Sequence, residues 1–431
     1  MGFSHFRFDP RIAAGIRDLG YHKPTPIQLQ AMAPILQGRD VMGLAQTGTG
    51  KTAAFALPIL QRLLSGPRGV TRALILAPTR ELADQIKESF QGLGRQTGLR
   101  SLTVYGGVGA GPQTSGLRNG MEIVVACPGR LLDHLQHNAF KPTRLEVLVL
   151  DEADRMFDMG FLPDIRRIVK HLPAHRQTLL FAATMPDDIR KLAHEILRNP
   201  VTVQVDHTVP LATVSHALYP VAEHLKSALL SKLLAQTGGT SVLIFTRTKH
   251  RAKRLAQRLR EEGGEVACLQ GNLSQNKRRE ALDGFREGRA NVLVATDIAS
   301  RGIDISQITH VINFDVPDTT EAYTHRIGRT GRAAKTGDAF TLVTPDDEAM
   351  IRDIERVMGA RLERRRLEGF DYSARQQGGV RTHGPSHERH HAPHHAQHHP
   401  PHHPQHPQQQ AKKPEYSFRG RFSRLRSRRR R

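Results

Sequence analysis

The stretch AQTGTGKT, residues 45–52, has the composition and spacing of a loop that binds a polyphosphate. Its glycines let backbone N–H groups approach an anion closely, and the N-terminus of the helix predicted to follow adds partial positive charge. Lys51 would supply a cation for the terminal phosphates, and Thr52 an oxygen ligand for Mg²⁺. The pattern G-x-x-x-x-G-K-[ST] is met except at its first position, Ala45. A glycine-rich turn with an incidental lysine is the alternative, which the apolar run VMGL (41–44) before the loop disfavours.

Two neighbouring acids, Asp151 and Glu152, follow the apolar run LEVLVL. In a chain with a phosphate-binding loop, Asp151 would hold Mg²⁺ through its water shell, and Glu152 would orient or deprotonate an attacking water. The alternative is a helix N-cap whose acids are favoured by the helix dipole. The presence of Lys51 and Thr52 in the same chain favours the hydrolytic interpretation.

A third pattern, HRIGRTGR, occupies residues 325–332 in the second half of the chain. Arginines separated by glycines suit a loop that grips phosphate. A guanidinium that reaches a terminal phosphate across a cleft accelerates hydrolysis by about 10³–10⁵-fold. A solvated basic loop, or one that contacts only a nucleic-acid backbone, is the alternative.

Short apolar runs alternate with amphipathic stretches over residues 1–370, which is typical of parallel strands joined by helices. The alternation lapses over 206–224, where two prolines occur and no helical period is clear. We therefore predict an α/β fold class with two tandem domains, residues 1–205 and 225–370, joined by a linker at 206–224. The apolar runs are ALILA (73–77), EIVVA (122–126), VLVL (147–150) and TLLFAAT (178–184) in the first half, and SVLIFT (241–246), EVACLQ (265–270), NVLVAT (291–296), HVINFD (310–315) and AFTLVT (339–344) in the second.

The chain has 431 residues, enough for two or three domains, and a formal net charge of +22. A chain this basic usually meets a polyanion, either nucleic acid or an anionic membrane. Two cysteines exclude a disulfide framework and favour a reducing compartment, for which we expect the cytoplasm. No run of 18 apolar residues occurs, so we expect no transmembrane helix and no membrane partner.

Taken together, these patterns are specific enough to indicate a family. The chain closely resembles the DEAD-box family of ATP-dependent RNA helicases over about residues 3–345. This resemblance implies two RecA-like domains, and GLAQTGTGKTAAFALPIL and DEADRMFDMGF are most similar to the bacterial RhlE-type branch. The motifs that carry it are GYHKPTPIQ (20–28), AQTGTGKT (45–52), APTREL (77–82), Gly106-Gly107, ACPGR (126–130), DEAD (151–154), LIFTRT (243–248), QGNLSQNKR (270–278), ATDIASRGID (295–304) and HRIGRTGR (325–332).

The resemblance also implies roles for individual residues. Gln28 would read the adenine edge, Asp304 would bind the ribose, and His325 would link the nucleotide to the RNA site. The catalytic residues would be Lys51, Asp151, Glu152, Arg329 and Arg332, with Thr52 and Asp151 holding Mg²⁺ partly through water. The ATP-binding residues would be Phe3, Gln28, Thr47, Gly48, Thr49, Gly50, Lys51, Thr52 and Asp304. The RNA-binding residues would be Thr79, Arg80, Gly107, Arg130 and Thr296, and the coupling residues Ala182, Thr184 and His325.

Two positions depart from the family pattern. The usual Ser-Ala-Thr motif reads Ala182-Ala183-Thr184, and the usual Thr before Pro-Gly-Arg is Cys127. The missing serine hydroxyl would normally bond the acidic motif, and a thiol is a weaker donor than a hydroxyl. A lost hydrogen bond to a charged phosphate costs about 1.5–3 kcal/mol. We expect ATP turnover to survive and unwinding to be comparatively inefficient.

The C-terminal segment 371–431 has 13 Lys and Arg against 3 Asp and Glu, and 11 of the 24 histidines fall within 383–406. Few apolar residues and much Pro, Gln and like charge predict a disordered tail. Our leading interpretation is an RNA tether that adds salt-sensitive affinity, and deleting the tail should flatten the salt dependence of RNA binding. Metal binding by the histidines and a tail that only aids solubility are the alternatives.

The resemblance implies an enzyme that hydrolyses ATP in an RNA-stimulated way, to separate short RNA duplexes or remodel RNA–protein complexes. An ATP-gated RNA clamp or annealing factor with weak unwinding is the alternative. A DNA translocase is disfavoured by GYHKPTPIQ (20–28), which resembles the family's Q motif, and by the DEAD spelling. Phosphate and 2′-OH contacts carry no base code, so we expect little sequence preference. We expect a monomer that acts on single-stranded RNA and short duplexes, with ribosomal or RNA-decay complexes as candidate partners.

Overall fold

The computed structural model describes residues 2–46, 48–205, 214–297, 308–331 and 336–374. All of them belong to one compact unit, Met1–Gln376, which contains two separate seven-stranded sheets. The paired strands of both sheets are parallel. The predicted α/β class with two parallel-sheet domains is therefore confirmed. In the described part of the chain, no helix is long and apolar enough to cross a membrane.

The first sheet is buried on both faces, because alternate residues of its strands belong to two different apolar clusters. Ile75 belongs to one cluster and Leu74 to the other. The strands are β1 (Val41–Leu44), β2 (Ala73–Leu76), β3 (Ser101–Val104), β4 (Ile123–Ala126), β5 (Val147–Leu150), β6 (Gln177–Ala182) and β7 (Val201–Gln204), in the order β3-β4-β2-β5-β6-β1-β7. The helices of this half are α1 (Pro10–Asp18), α2 (Pro26–Leu36), α3 (Lys51–Leu63), α4 (Arg80–Leu93), α5 (Ala110–Arg118), α6 (Pro128–Gln136), α7 (Ala153–Asp158), α8 (Leu162–Lys170) and α9 (Asp187–Ile196).

The second sheet has the same architecture. Its strands are β8 (Val214–Pro220), β9 (Val242–Phe245), β10 (Val266–Leu269), β11 (Val292–Ala295), β12 (His310–Asn313), β13 (Gly337–Val343) and β14 (Glu363–Arg364), in the order β10-β11-β9-β12-β13-β8-β14. The described helices of this half are α10 (Lys226–Gln236), α11 (Lys249–Glu261), α12 (Gln275–Arg286), α13 (Thr320–Ile327) and α14 (Glu348–Met358). Each apolar run predicted from the sequence overlaps one of the strands β2, β4, β5, β6, β9, β10, β11, β12 and β13.

The folded part of the second half begins earlier and ends later than the predicted boundaries of 225 and 370. Within the proposed linker 206–224, Val214–Pro220 forms β8, which pairs with β13 along its whole length. Pro220 is the last residue of that strand, where the missing N–H costs little. At the other end, the Tyr372 hydroxyl accepts a 2.8 Å hydrogen bond from the Leu367 N–H, so the folded part continues past residue 371. Residues 206–213 and the remainder of the predicted tail, 375–431, lie outside the described residues.

The strand order brings the first-domain motifs together. Strands β5, β6 and β1 are consecutive neighbours in the sheet. Their carboxyl ends lead into the acidic motif, the Ala182–Thr184 motif and the phosphate-binding loop, respectively. Because parallel strands end at a common edge, three segments that are far apart in sequence meet there, which is where ligands bind in open α/β sheets.

Candidate active site between the two sheets

The phosphate-binding loop joins β1 to α3. Gly50 occupies the N-cap of α3 with φ +91°, a conformation that favours glycine, and a Cβ there would lie 2.5 Å from the Gln28 Nε2. Lys51 is 6% exposed, and its Nζ donates a 2.7 Å hydrogen bond to the Ala45 carbonyl. The loop thus holds a buried ammonium group beside a helix N-terminus, which is an anion-binding arrangement. Of the predicted ATP-binding residues in this loop, Thr47 lies outside the described residues.

The Q-motif glutamine contacts this loop directly. Gln28 Oε1 accepts a 2.9 Å hydrogen bond from the Thr25 N–H, and the two residues form a capping box at the start of α2. The Gln28 Nε2 donates to the Gly50 carbonyl at 3.1 Å. Phe3, an expected ATP-binding residue, is buried, and its ring lies 6.3 Å from that of Tyr21. The structure therefore joins Gln28 to the phosphate loop and places Phe3 in the core of the first domain.

The two acids after β5 differ in their electrostatic surroundings although both are buried. Burial raises the pKa of Asp151 to about 7, opposed by Lys51 and assisted by Glu152. For Glu152, burial alone would raise the pKa, but Arg155, Lys51 and Arg329 outweigh it and hold the pKa at about 2. The Glu152 carboxylate also forms an ion pair with Arg155. Glu152 has φ 52°, so the turn that presents this carboxylate is left-handed.

The third acid of the motif connects it to the end of β6. One carboxylate oxygen of Asp154 accepts hydrogen bonds from the Ala183 N–H (2.9 Å), the Thr184 N–H (2.8 Å) and the Thr184 hydroxyl (3.2 Å). Ala182, in the place of the usual serine, is buried in an apolar cluster. The acidic motif and the Ala182–Thr184 motif are thus linked without the serine hydroxyl.

A cavity of about 640 Å³ lies between the domains at this edge. The first domain contributes Lys51, Glu152 and Asp154 to its walls, and the second domain contributes His325 and Arg329. Arg329 is 5% exposed and interacts electrostatically with Glu152 across the domain boundary. His325 lines the cavity, but most of its ring is surrounded by protein. This burial, together with the nearby charges of Arg155 and Arg329, lowers the pKa of His325. Asp304 and Arg332, predicted to act here, lie outside the described residues.

A second contact between the domains joins α4 to α12. The Arg278 Nε lies 2.7 Å from the Glu81 Oε1, with only 11% and 8% of the two side chains exposed. Beside it, Arg80 Nη1 donates a 3.3 Å hydrogen bond to the Gln275 Oε1. The sequence analysis assigned no role to Glu81, Gln275 or Arg278. Their partners are almost 200 residues away in the chain, so no local pattern could pair them.

Comparison with known proteins matches both halves of this arrangement. The family model of the DEAD/DEAH box helicase matches residues 25–192, and that of the helicase conserved C-terminal domain matches residues 225–334. The DEAD-box ATP-dependent RNA helicase CshA of Geobacillus kaustophilus is 42% identical over 84% of this chain and 78% of its own length. This chain belongs to the DEAD-box helicase family. The ATP-dependent rRNA helicase RRP3 of Debaryomyces hansenii is 44% identical over 84% of this chain and 76% of its own.

Solved structures of the family differ in how well they superpose on this member. S. cerevisiae Dbp5 bound to RNA and ADP BeF3 has a TM-score of 0.77 at 31% identity, covering 84% of this chain and 95% of that one. A DEAD box protein from Methanococcus jannaschii has a TM-score of 0.52 at 34% identity, covering 85% and 99%. At similar identity, the present structure therefore superposes better on Dbp5 with RNA and ADP BeF3.

The helicase motifs expected to contact RNA lie at the same edge of the sheets. Thr79 is the N-cap of α4, and its hydroxyl accepts from the Leu82 N–H. Gly107 has φ +76°, and a Cβ there would lie 2.2 Å from the Arg80 Nη1, so this glycine makes room for the arginine. Arg130 donates a 3.3 Å hydrogen bond to the Val108 carbonyl, which belongs to the same loop as Gly107. In the second domain, Thr296 is buried directly after β11.

Cys127 is the N-cap of α6, but its side chain makes no capping hydrogen bond. By contrast, the threonine N-caps of α4, α11 and α13 each accept a hydrogen bond from a backbone N–H three residues ahead. Burial, assisted by Glu81, raises the pKa of Cys127 to about 12, so the thiol stays protonated. The departure at this position therefore removes a helix cap as well as a hydroxyl.

One arginine of the HRIGRTGR motif has a structural role that the sequence analysis did not assign. Arg326 is 2% exposed and forms a bidentate ion pair with Asp297, with both distances 2.6 Å. Its Nη1 donates to the Asn313 side chain and to the Asp315 carbonyl, and its guanidinium lies 5.0 Å from the Phe245 ring centre. Arg326 therefore fixes the ends of β9, β11 and β12 relative to α13. Spacing within the motif does not distinguish this arginine from Arg329.

Proposed function

We propose that this DEAD-box helicase hydrolyses ATP in an RNA-stimulated way and uses the cycle to separate short RNA duplexes or remodel RNA–protein complexes. The observation that carries the proposal is the divided cavity, with Lys51 and Glu152 on one domain and His325 and Arg329 on the other. A nucleotide between these walls contacts both domains only when they are together. It therefore stabilises the closed arrangement, because a ligand shifts an equilibrium by its differential affinity.

Within this site, the loop of residues 45–52 and Lys51 would bind the ATP phosphates. Glu152 stays charged at any pH near neutral, since its pKa is about 2. Such a weak base is better suited to orienting the attacking water than to removing its proton, and its ion pair with Arg155 holds the carboxylate in place. Arg329, with Arg332, would stabilise the charge that develops on the terminal phosphate.

Thr52 and Asp151 would hold Mg²⁺, partly through water. A hydroxyl and a carboxylate are oxygen ligands of the kind that Mg²⁺ prefers, and the raised pKa of Asp151 shows a buried carboxylate that a cation would stabilise. In the described residues, no three His, Cys, Asp or Glu side chains could hold a metal together, so most ligands would come from phosphates and water. When bound, the metal would neutralise phosphate charge. Gln28, Phe3 and Asp304 are assigned to the adenosine.

RNA would bind along the adjoining edge through Thr79, Arg80, Gly107, Arg130 and Thr296. These residues offer hydroxyl, guanidinium and backbone groups, which suit phosphate and 2′-OH groups and carry no base code. Because RNA and ATP both favour the closed arrangement, each should raise the affinity for the other by the same factor. We assign the coupling of the two ligands to His325, Thr184 and Ala182.

An ATP-gated RNA clamp or annealing factor is the second candidate, because Ala182 lacks the usual hydroxyl. The three hydrogen bonds from Ala183 and Thr184 to Asp154 retain the link between the motifs and so support the helicase. Ala182→Ser decides between these functions. If the number of duplexes separated per ATP does not change, the missing hydroxyl does not limit unwinding.

We further propose that the chain acts as a cytoplasmic monomer of the bacterial RhlE-type branch, on single-stranded RNA and short duplexes. Its P-loop and DEAD segments support that branch, and the relatives named CshA, RRP3 and RhpA belong to the wider family. The relative RRP3 is named an rRNA helicase. We propose ribosomal or RNA-decay complexes as partners of the present chain.

The first experiment is steady-state ATP hydrolysis without nucleic acid, with RNA and with single-stranded DNA, with Glu152→Gln as the blank. We expect strong stimulation by RNA alone, abolished in Glu152→Gln. Thr143→Ala, an exposed threonine of the first domain, is the control variant and should retain the stimulation. Activity that is independent of RNA, or equal with DNA, would contradict the proposed coupling.

A further inference from the structure

A cavity of about 760 Å³ lies at the outer edge of the second sheet, away from the nucleotide site. β10 is the edge strand there, and Val266, Ala267 and Cys268 form part of the floor. Helices α11 and α12 form the walls with Lys249, Lys253 and Lys277. We call this cavity, lined by these six residues among others, the edge groove.

The walls of the edge groove are strongly basic. Besides the three lysines, they carry Arg260 and Arg289, against the single acid Glu280. The lysine side chains are exposed, and neither Lys253 nor Lys277 has an ion-pair partner within the part of the chain that the structure describes. Unpaired ammonium groups on both walls of a groove attract an anionic ligand.

The edge groove does not favour a further strand. Arg260 Nε donates a 2.8 Å hydrogen bond to the Val266 carbonyl, so one of the outward acceptors of β10 is already used. A peptide that extends the sheet would need this acceptor, since main-chain hydrogen bonds provide the affinity in that mode. No Phe, Tyr or Trp is among the described lining residues, and His250 is the one aromatic ring there, so stacking of successive bases is not the main recognition mode. These features favour an extended polyanion held by its phosphates.

The edge groove is continuous with the edge proposed for RNA. Gln270 and Asn272, of the motif that follows β10, line its inner end. Lys249 Nζ donates a 3.3 Å hydrogen bond to the Asn272 Oδ1, which joins the two walls there. On the neighbouring strand, the Thr296 N–H donates to the Leu269 carbonyl at 3.4 Å. Thr296 therefore lies beside the end of β10, the strand that forms part of the groove floor.

We propose that the edge groove binds the phosphate backbone of the RNA segment that extends beyond the nucleotides held by the core motifs. The proposal rests on the proposed function, since it extends the same RNA path. Lys249 and Lys253 are one helical turn apart, about 6 Å along α11, so they would contact successive parts of one strand. Lys277 would contact the strand from the opposite wall.

The test compares the full chain carrying Lys253→Glu and Lys277→Glu with a control carrying Arg254→Glu and Arg352→Glu. Both pairs make the same change in net charge, and Arg254 and Arg352 are exposed residues outside the groove. The probes are fluorescent single-stranded RNAs of about 6 and about 16 nucleotides, within the range of site sizes known for single-strand binding. Affinity is measured against salt with a non-hydrolysable ATP analogue present.

Loss of two phosphate contacts should reduce the salt slope for the longer RNA by about 1.4 and its affinity at about 0.1 M salt by about 25-fold. Affinity for the shorter RNA, and the ATPase that it stimulates, should not change. Equal losses for both RNA lengths, or equal losses in the control, would overturn the proposal. Failure of the short RNA to stimulate the parent chain would instead overturn the proposed function.

A further arm uses poly-glutamate as the probe, because an acidic protein segment shares the negative charge. If the groove variant loses poly-glutamate binding while the salt slope for the longer RNA stays at the parent value, the groove serves an acidic protein and the RNA proposal is wrong. If both probes lose affinity in the groove variant and neither does in the control, the RNA proposal stands.

Discussion

The ion pair between Glu81 and Arg278 gives the sharpest test of closure, because it joins the domains outside the nucleotide cavity. The atoms are 2.7 Å apart and the side chains are 8% and 11% exposed. When the domains separate, both charges return to water, so the pair contributes only to the closed state. A hydrogen bond to a charged group contributes about 1.5–3 kcal/mol, and since 1.36 kcal/mol is a factor of ten, removing it should reduce closure about 10- to 150-fold.

The experiment is a double-mutant cycle with Arg278→Met, Glu81→Gln and the two together. Each single change should raise the RNA concentration for half-maximal ATPase stimulation by about 10- to 150-fold. The double variant should lose less than the two single losses combined, because the interaction is lost only once. ATP hydrolysis at saturating RNA and ATP should be unchanged, since neither residue lines the nucleotide cavity and saturating ligands restore closure.

A neighbouring pair provides the control. Arg279 lies 3.6 Å from Asp84, but 63% of its side chain is exposed. Exposed pairs contribute less than about 1 kcal/mol, so Arg279→Met should change the RNA requirement less than about fivefold. Fully additive losses in the cycle, or an equal loss of activity at saturating RNA and ATP, would refute the assignment of this ion pair to closure.

Three further changes test other parts of the structure. Gly107→Ala should weaken RNA binding about tenfold in a filter-binding assay, because backbone strain costs about 1–3 kcal/mol and the new Cβ displaces Arg80. The control is Gly111→Ala, whose new Cβ meets open space and should leave RNA binding unchanged. Cys127→Thr should raise the melting temperature, because a new N-cap bond contributes about 1 kcal/mol, and Cys127→Val, which cannot cap, should not. Burial lowers the pKa of His216 from 6.5 to about 4, so the unfolded chain binds a proton there that the native chain does not, and stability falls as pH decreases through this range. Between pH ~7 and ~5 the free energy of unfolding should fall by about 2 kcal/mol. Denaturant melts should show a smaller fall in His216→Asn and the full fall in the control, His175→Asn.

Most strands, and the motifs that follow them, could be predicted because the sequence signals for them are local. Apolar runs such as VLVL (147–150) reflect burial on both faces, which every residue of β5 shows. β8 was missed because its burial is irregular and its exposed Ser215 and terminal Pro220 interrupt the apolar pattern. It is a strand because both of its neighbours, β13 and β14, provide partners from more than 100 residues away.

The contacts between domains could not be predicted in the same way. Arg326 and Arg329 belong to one motif and are three residues apart, yet only Arg329 faces the cavity of about 640 Å³. Arg326 lies within α13, whereas Arg329 lies beyond the end of that helix at Ile327, so helical spacing does not relate the two side chains. Arg326 instead meets Asp297 and Asn313, whose positions depend on the strand order of the second sheet.

The start of α4 explains how RNA and domain closure can influence each other over a short distance. Arg80, assigned to RNA, also donates to Gln275 of the second domain, and its neighbour Glu81 pairs with Arg278. An RNA phosphate beside Arg80 would therefore act on the same turn of helix that holds the domains together. Coupling here needs no long pathway, because the residues that bind one ligand are adjacent to those that stabilise the closed state. It follows that substitutions at Arg80 should change RNA affinity and closure together, whereas substitutions at Arg278 change closure first.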